Sequence, residues 1–171
     1  MPNCNFPLLT TDRLILSAPD SSADAAIFEI HSDARTYEHR PDLVMVSHEQ
    51  ATLLRHEWQQ NWAEDGLGYF VVSHKEDPSR IIGFCGVSQS QERNEDVLNV
   101  YYRFSPDSQD RGYAYEATTA AIDWSRRQCA ELPVIAIIDP ANSASIKLAE
   151  RLGLSLVKGS GIPGDYDVYR R

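Results

Sequence analysis

The chain has 171 residues, of which 42% are hydrophobic and 24% are charged, so its composition is that of a globular protein rather than a disordered or fibrous one. Its formal net charge of −9 argues against general nucleic-acid binding, which needs a basic face. It also lacks the roughly 20 consecutive apolar residues that cross a bilayer, and it lacks a signal-peptide pattern. We therefore expect one domain over residues 1–171, located in the cytoplasm, with no nucleic-acid or membrane partner.

The three cysteines, Cys4, Cys85 and Cys129, are widely spaced and have no histidine at a metal-ligand spacing. We therefore expect neither a disulfide framework nor a metal site. The five histidines are scattered, and we expect each of them to be a surface or core residue. Four of them lie in the helical, substrate-side part of the chain: His31, His39, His48 and His56.

In the first part of the chain, residues 13–17 are predicted to form a strand, and Ser21 or Ser22 to cap a helix with apolar residues at helical spacing. The sequence Ser47-His-Glu-Gln50 is a capping-box pattern, which predicts a second helix running to about Trp62. Three strands separated by polar turns follow, and we expect them to form an antiparallel meander. They are residues 69–73, 81–89 and 97–104.

The pattern changes after residue 104. Residues 111–129 are predicted to form a helix, 134–138 a strand buried on both faces, and 143–152 a helix closed by Gly153 in a left-handed conformation. Two short strands are predicted at residues 155–158 and 166–170. The order of strand, helix and strand between residues 97 and 138 is a βαβ crossover, which makes its strands parallel neighbours. The sequence therefore predicts an α/β fold with a mixed sheet and a ligand site at the carboxyl ends of the parallel strands.

The segment between the strand at 97–104 and the next helix carries the chemistry. It reads Ser105-Pro-Asp-Ser-Gln-Asp-Arg-Gly-Tyr-Ala-Tyr-Glu-Ala117, and a helix start offers unpaired N–H groups to an anion such as phosphate. Gly112 and Ala114 leave that backbone uncovered, and Arg111 adds a cation beside it. In isolation, helix capping or close packing is the commoner explanation of such a sequence, which is neither a Walker loop nor a Rossmann fingerprint.

Three separated groups of residues resemble motifs of the GNAT acetyltransferase superfamily, in particular its ribosomal-protein N-terminal (Rim-type) branch. The superfamily's pyrophosphate loop, Q/R-x-x-G-x-G/A, is matched by Gln109-Asp-Arg-Gly-Tyr-Ala114. The Rim-type segments T-x-R-L-x-L and G-Y-A-x-E-A are similar to Thr11-Asp-Arg-Leu-Ile-Leu16 and Gly112-Tyr-Ala-Tyr-Glu-Ala117. A later N-x-x-S…R-L-G is similar to Asn142-Ser-Ala-Ser145 with Arg151-Leu-Gly153. The matches span nearly the whole chain.

The resemblance implies a GNAT-like fold with splayed parallel strands, and transfer of an acetyl group from acetyl-CoA to a protein N-terminal α-amine or a small-molecule amine, without a metal. It implies that pantetheine pairs with the backbone near Tyr102, Arg103 and Phe104. Asn142 would bind pantetheine from the far side of the cleft, although by itself it is a typical helix N-cap. The residues implied to hold the pyrophosphate are Gln109, Asp110, Arg111, Gly112, Tyr113 and Ala114.

Three positions depart from the family pattern. Asp110 replaces a Rim-branch glycine, which places a carboxylate beside the pyrophosphate and demands a less permissive backbone. Asn99 replaces a strand glutamate that serves as the base in many relatives, and Ala149 replaces a tyrosine acid. Ser145 remains the candidate catalytic acid for the departing thiolate, and its motif position also places it among the cofactor-binding residues. The alternative is a first-turn serine bonded to its own backbone.

The base that deprotonates the acceptor amine is therefore not identified, and we expect a water relay or an unplaced carboxylate. Without an enzyme base, α-amines with a pKa of roughly 7.7–8.0 are favoured over lysine-like amines at about 10.4. Two other functions stay open: a catalytically weakened GNAT-fold protein that binds acyl-CoA as a sensor or partner subunit, and an unrelated α/β phosphate-binding module. A homodimer is compatible with the sequence, which does not determine it.

Overall fold

The sheet begins with two short strands, β1 (Leu9–Thr10) and β2 (Leu14–Ser17). The structure is a computed structural model and describes residues 6–157 and 166–171. β1 was not predicted, because a two-residue strand carries no hydrophobic periodicity. The helices α1 (Asp24–Ser32) and α2 (His48–Asp65) follow. Residues 34–43 connect them through two single turns of 3₁₀ helix.

One of the two predicted helix starts is confirmed and the other is wrong. At α2, Ser47 and Gln50 form the capping box with both of its hydrogen bonds. Before α1, neither Ser21 nor Ser22 is the cap. Instead, the carboxylate of Asp20 accepts the N–H of Ser22 (2.8 Å) and starts a short 3₁₀ turn that leads into the helix. Asp and Ser are equally good caps, so the sequence alone does not choose between them.

The predicted antiparallel meander is confirmed in β3 (Tyr69–His74), β4 (Ile81–Glu92) and β5 (Glu95–Phe104). β4 and β5 are longer than predicted, because the turn between them consists of only two residues. These are Arg93 and Asn94, both left-handed with φ of 50° and 64°. Two successive left-handed residues match the twist of a tight hairpin, so strand pairing continues where a longer polar turn was predicted.

The βαβ crossover is also confirmed, since β5 and β6 are parallel neighbours joined by α3. The elements of this half of the chain are α3 (Tyr113–Gln128), β6 (Val134–Ile138), α4 (Ser143–Arg151), β7 (Ser155–Leu156) and β8 (Asp167–Arg170). Gly153 follows α4 with the expected left-handed φ of 84°. The predicted strand at 155–158 ends at Leu156, and Lys158 lies outside the described residues.

The result is a mixed α/β fold whose strand order is β1-β2-β3-β4-β5-β6-β8-β7. Alternate residues of β5 face opposite layers: Val100 packs in the cluster with α3 and α4, and Tyr101 packs with α1 and α2. The prediction that β6 is buried on both faces is confirmed at Ile135 and wrong at Ile137, which is 41% exposed. The face of the sheet that carries Ile137 is open here because α1 and α2 pack over β4 instead. Within the described residues, no helix has the length and apolar character needed to cross a membrane.

Candidate active site

The parallel strands β5 and β6 separate soon after they meet. In the described chain they are aligned at only two positions, Leu98 with Val134 and Asn99 with Ile135. Beyond this point β6 pairs on its other edge with β8, and β5 runs on to Phe104 along β4. The two strands therefore leave a gap between them at their carboxyl ends, which is the splay that the sequence resemblance implied.

The backbone of β5 presents hydrogen-bonding groups to this gap at alternate residues. The N–H of Ser105 donates to the carbonyl of Ile82 in β4 (2.9 Å). Because the backbone groups of an antiparallel strand alternate in direction, those of Tyr102 and Phe104 point the other way, into the gap, and those of Arg103 point at β4. The carbonyl of Phe104 accepts a long hydrogen bond from Nε2 of Gln109 (3.4 Å), and this edge has no strand partner among the described residues. An extended ligand with amide groups can therefore pair with it as a strand does.

The loop of residues 105–112 leads from this edge into α3 through two left-handed residues. φ is 60° at Asp110 and 78° at Gly112. The first bond of the helix runs from the N–H of Glu116 to the carbonyl of Gly112 (3.0 Å), so the earlier N–H groups have no acceptor within the helix. No described side chain caps them. Free N–H groups at the positive end of a helix dipole form a site for an anion.

Asp110 combines two unfavourable features in this loop. A left-handed conformation costs a non-glycine residue roughly 1 kcal/mol, although aspartate tolerates it better than most. The side chain is also exposed at the anion site, where its negative charge opposes that of a phosphate. Both features match the expectation that aspartate is a poorer residue than glycine at this position.

The start of α3 is fixed to the N-terminal strands through Glu116. Its carboxylate accepts hydrogen bonds from the Thr11 hydroxyl (2.6 Å), the Arg13 backbone N–H (3.0 Å) and Arg13 Nε (2.7 Å). Nη1 of Arg13 donates to the carbonyl of Arg111 (3.0 Å), and the guanidinium lies 4.5 Å from the ring centre of Tyr113. Two of the motifs noted in the sequence therefore meet in one cluster.

This cluster is ionic at neutral pH. Burial by itself raises the pKa of Glu116, but the hydrogen bonds from Thr11 and Arg13 outweigh it and hold the pKa below its ordinary value of 4.5. The guanidinium of Arg13 makes an ion pair of 2.6 Å with the carboxylate. Because Arg13 contacts both the loop carbonyl and the first turn of α3, it sets the position of the free N–H groups.

α4 begins on the other side of the gap, at a turn organised by Asp139. The carboxylate of Asp139 accepts the N–H of Ala141 (2.9 Å), and its carbonyl accepts the N–H of Asn142 (2.8 Å). Oδ1 of Asn142 then accepts the N–H of Ser145 (3.1 Å). Asn142 is therefore the N-cap of α4, as its sequence context indicated, and its Nδ2 is directed away from the helix.

Tyr102 connects the two sides of the gap. Its hydroxyl donates to the backbone carbonyl of Ser145 (2.7 Å), and burial raises the pKa of this tyrosine. The hydroxyl of Ser145 makes no hydrogen bond to any described residue, including its own helix backbone. It is therefore available to a ligand in the gap.

The β5 edge, the loop and the start of α4 enclose a cleft of about 440 Å³. Most of the site residues predicted from the sequence line it: Tyr102, Arg103, Phe104, Gln109, Asp110, Gly112, Tyr113, Ala114, Asn142 and Ser145. Arg111 is the one predicted residue that does not line the cleft. Its side chain is exposed and its carbonyl faces Arg13. No group of three or more histidine, cysteine or acidic residues in the described chain is arranged to hold a metal ion.

Comparison with known proteins identifies the class of this cleft. A sequence model described as an acetyltransferase (GNAT) domain matches residues 13–155. The chain belongs to the GNAT acetyltransferase family. The match includes Arg13, Glu116, the splayed strands and α4.

Individual proteins similar to this chain have low sequence identity to it. The uncharacterised protein YkkB of Bacillus subtilis (strain 168) is 28% identical over 157 residues, which are 88% of this chain and 86% of that protein. An acetyltransferase from Agrobacterium tumefaciens str. C58 has a TM-score of 0.82 at 23% identity, over 96% of this chain and 94% of that one. The Rim-type enzyme RimL, a ribosomal L7/L12 α-N-protein acetyltransferase solved with coenzyme A, has a TM-score of 0.72 at 17% identity, over 96% and 97%.

At two of the positions where the sequence departs from the GNAT pattern, the side chain cannot transfer a proton. Asn99, at the position of the strand glutamate, has a buried Oδ1 without a hydrogen-bond partner among the described residues. Ala149 of α4 is fully buried in a core cluster, and its methyl group has no proton to transfer. Neither Asn99 nor Ala149 therefore supplies an acid or a base to the cleft.

His31 is a core residue, as predicted. Its Nε2 accepts a hydrogen bond from the Tyr101 hydroxyl (2.7 Å), and its Nδ1 donates to the carbonyl of Ile27 (2.8 Å). Burial, assisted by the charge of Arg103, lowers the pKa of His31 to about 4. His31 is therefore neutral near pH 7 with both ring nitrogens engaged, and it has no free nitrogen to take a proton.

The opposite wall of the GNAT cleft is the connection between α1 and α2, residues 34–43. Nη1 of Arg103 donates to the carbonyl of Thr36 (3.0 Å), and its guanidinium lies 3.8 Å from the ring centre of Tyr37. At the other end, Nη1 of Arg40 donates to the hydroxyl of Tyr166. The connection is therefore held at both ends, by β5 and by the residue before β8.

His39 lies between these two attachment points and lines the cleft. Its Nε2 is 3.4 Å from Nδ2 of Asn142. From the sequence, His39 was interpreted as a surface or core histidine, and this interpretation is incomplete because the ring belongs to the cleft wall. No motif surrounds His39, so nothing local in the sequence reveals this position.

Two cations of α4 were also missed. Lys147 and Arg151 line the cleft, and the guanidinium of Arg151 lies 4.0 Å from the ring centre of Tyr115. Residues four apart on a helix share a face. Once the start of α4 at Asn142 is placed at the cleft, the four-residue spacing of Lys147 and Arg151 is a signal in the sequence that both side chains lie on one face of this helix.

Proposed function

We propose that this protein is an acetyl-CoA-dependent N-acetyltransferase, folded as one domain over residues 1–171. The observation that carries the proposal is the meeting of two binding features in one cleft. The free backbone edge of β5 suits the amide groups of pantetheine, and the start of α3 suits a pyrophosphate. Acetyl-CoA carries both groups on one flexible chain and presents its thioester at the end.

Pantetheine would pair with β5 at Tyr102 and Phe104, whose backbone groups face the gap. Asn142 supports this placement from the opposite side, because its Oδ1 caps α4 and its Nδ2, which faces His39 with one hydrogen, has a second hydrogen to donate to a pantetheine carbonyl. The backbone of Arg103 is paired with β4, so we assign this residue to the wall through its side chain.

The pyrophosphate would bind at residues 109–114. A Cβ added at Gly112 would have one neighbour within 4 Å, Nη2 of Arg13 at 3.5 Å, so the space in front of this residue is open. Lys147 and Arg151 add positive charge to the same cleft. Their charge offsets that of Asp110 and favours a ligand with several phosphates.

Transfer would be direct, in a complex of both substrates, because holding amine and thioester together supplies much of the rate. A backbone N–H of the β5 edge near Phe104 is placed to polarise the thioester carbonyl, as in an oxyanion hole. The hydroxyl of Ser145 would give its proton to the departing thiolate. This serine has no competing hydrogen bond among the described residues.

We further propose an α-amine as the acceptor, with a small-molecule amine as the other class. At pH 7.4 an α-amine is neutral to an appreciable extent, whereas about a thousandth of a lysine-like amine is neutral, which is a penalty of roughly 4 kcal/mol for the lysine-like amine. A site without the strand glutamate therefore favours the less basic amine. The α-N-protein activity named for RimL, whose fold this chain shares, agrees with this choice.

The second candidate function is an acyl-CoA-binding GNAT protein that has lost transfer and serves as a sensor or partner subunit. Asn99 and Ala149 favour it, because each replaces a proton-transfer residue of many relatives. Asp110 adds to the case, because it weakens the anion site. A cytoplasmic location and a homodimer stay predictions from the sequence.

Two measurements decide between these functions. Isothermal titration measures coenzyme A binding, and thiol release measures transfer from acetyl-CoA to a panel of N-terminal peptides, small amines and Nα-acetyl-lysine amide. We expect binding, and release with peptides bearing a free α-amine. Binding without release from any amine would support the sensor, and absence of binding would contradict both functions.

The role of Ser145 is tested with Ser145→Ala. We expect kcat to fall by about 10- to 100-fold, the usual scale for losing a proton donor, with a much smaller change in coenzyme A affinity. Ser145→Thr keeps a hydroxyl and serves as the matched variant, which should retain most of the rate. Equal loss in both variants would assign Ser145 to packing rather than to proton transfer.

A further inference from the structure

We propose that His39 is the base that receives the proton of the acceptor amine. This inference rests on the proposed acetyl transfer and supplies the group that the sequence left unidentified. It replaces the expectation of a water relay or carboxylate with a named atom, Nε2 of His39.

The position of His39 relative to Asn142 is the first observation. Asn142 contacts the ring of His39 through Nδ2 (3.4 Å) and the backbone of Ser145 through Oδ1 (3.1 Å). The candidate base and the candidate acid therefore adjoin the same amide group from opposite directions. A thioester held beside Asn142 lies within reach of both, which is the arrangement that transfer of two protons requires.

The protonation of the ring follows from the orientation of Asn142. Because its Oδ1 accepts the N–H of Ser145, the atom that faces His39 is the NH₂ group, which only donates. Nε2 of His39 therefore carries the lone pair, and the hydrogen of the neutral ring is on Nδ1. The lone pair faces the NH₂ group of Asn142 at the wall of the cleft, and this contact is long enough (3.4 Å) for a closer donor such as an ammonium group to replace it.

The ring is also held in place. It lies two residues after Tyr37, which is buried beneath the Arg103 guanidinium, and directly before Arg40, which bonds to Tyr166. A base attached at both ends needs little reorganisation to meet the substrate. His31 does not compete for the role, because its ring nitrogens are both engaged in the core.

Other charged groups surround this part of the cleft. Those that line it are Arg35 and Glu38 on the same connection, Arg103 on β5 and Lys147 on α4. Arg40, next to His39 in the chain, and Asp139 before α4 do not line the cleft but interact electrostatically with each other. Arg35 and Arg40 are paired with Asp33 and Asp42. Glu38 is the alternative base, and the variants His39→Gln and Glu38→Gln separate the two.

The proposed step balances as follows. The bound ammonium gives one proton to Nε2 of His39, and the neutral amine attacks the thioester carbonyl carbon. The C–N bond forms and the C–S bond breaks, and the thiolate takes a proton through the Ser145 hydroxyl, which is restored from the second proton of the amine. His39 then releases its proton to solvent. The products are the amide, coenzyme A and one proton.

The test is the pH dependence of kcat/KM with two peptides that differ in the basicity of the α-amine, one beginning with alanine and the other with β-cyanoalanine. In the wild type, we expect one midpoint common to both peptides, because it belongs to the enzyme. In His39→Gln, we expect kcat/KM at neutral pH to fall about 100-fold, and the midpoint to move to the pKa of each peptide. Added imidazole should restore part of the rate.

His56→Gln, which removes an exposed histidine of α2, is the matched control and should keep the wild-type profile. Coenzyme A titration and thermal unfolding confirm that His39→Gln folds and binds. Transfer with a wild-type profile in His39→Gln, or a midpoint abolished by Glu38→Gln instead, would overturn the role of His39 and leave the proposed function standing. Coenzyme A binding without transfer by the wild type would overturn the proposed function itself.

Discussion

The wall of the cleft formed by β5, the loop and the starts of α3 and α4 presents mainly backbone groups, whereas the wall formed by residues 34–43 presents side chains. On the first wall, N–H groups are made available by the splay after Asn99 and by the left-handed turn at Gly112. On the second wall, the position of His39 depends on contacts made by Arg103 and Arg40 with distant elements.

Under the proposed function, the two walls would bind different substrates. The backbone groups of the first wall would bind features common to every acyl-CoA, and the side chains of the second wall would bind the acceptor amine. The following variants test the comparison, beginning with the largest expected effect.

Gly112→Glu should abolish coenzyme A binding, with a loss of affinity of at least about 100-fold, because it adds bulk and negative charge where the pyrophosphate approaches. Isothermal titration with coenzyme A measures the effect. Gly66→Glu is the matched control, since Gly66 is also left-handed, with φ of 66° against 78° at Gly112, and has open space around an added Cβ. Both variants introduce the same backbone strain and charge, but only the first faces the cleft. Equal affinity in the two would remove the loop from the binding site.

Arg13→Gln should weaken coenzyme A binding by about 10-fold, because Arg13 joins the loop carbonyl of Arg111 to Glu116 at the start of α3. Arg13 does not line the cleft, so this loss of affinity would show that the conformation of the first wall depends on a residue outside the binding site. Arg80→Gln removes the same charge from an exposed turn and is the control. Unchanged affinity in Arg13→Gln would mean that the loop holds its conformation without the cluster.

The same cluster predicts an acid-dependent loss of stability. The folded state lowers the pKa of Glu116, so the stabilisation is present above the ordinary value of 4.5 and is lost as the pH falls through the lower folded value. Urea unfolding at pH 6 and at about pH 3.5 should show a larger drop for the wild type than for Arg13→Gln, which has already lost the ion pair. Parallel drops would assign the acid sensitivity to other carboxylates.

Asp110→Gly should tighten coenzyme A binding a few-fold, more at low salt, and raise stability by roughly 0.5–1 kcal/mol through relief of the left-handed conformation. Asp110→Asn separates the two causes, because asparagine removes the charge and still tolerates the backbone conformation poorly compared with glycine. It should give the gain in binding without most of the gain in stability. Weaker binding in both variants would show that Asp110 organises the loop.

Much of the fold was predictable because its signals are local. The capping box at Ser47, the apolar periodicity of the α3 region and Gly153 each act within one turn of chain, and each was predicted correctly. The errors lie where alternatives are locally equal. Asp20 and Ser21 are equivalent caps, and the length of the hairpin between β4 and β5 depends on whether Arg93 and Asn94 turn left-handed.

The candidate site divides in the same way. The site residues between Tyr102 and Ala114 were predicted from the resemblance to GNAT motifs, which are recognisable because the strand end, the loop and the helix start are consecutive in sequence. His39 was not predicted, because it reaches the cleft only when residues 34–43 pack between Arg103 and Tyr166. The Arg13 cluster is intermediate: its motif was recognised, and its contact with Glu116 became visible only in the folded chain.

The central claim is that acyl-CoA binds through the backbone of the first wall. A titration of ¹⁵N-labelled protein with acetyl-CoA, followed by amide resonances, tests it residue by residue. We predict that the largest shifts occur at the amides of Tyr102, Phe104, Gly112 and Tyr113, with smaller changes along residues 34–43. Saturable binding that leaves those four amides unmoved, or that moves a different surface instead, would contradict the account.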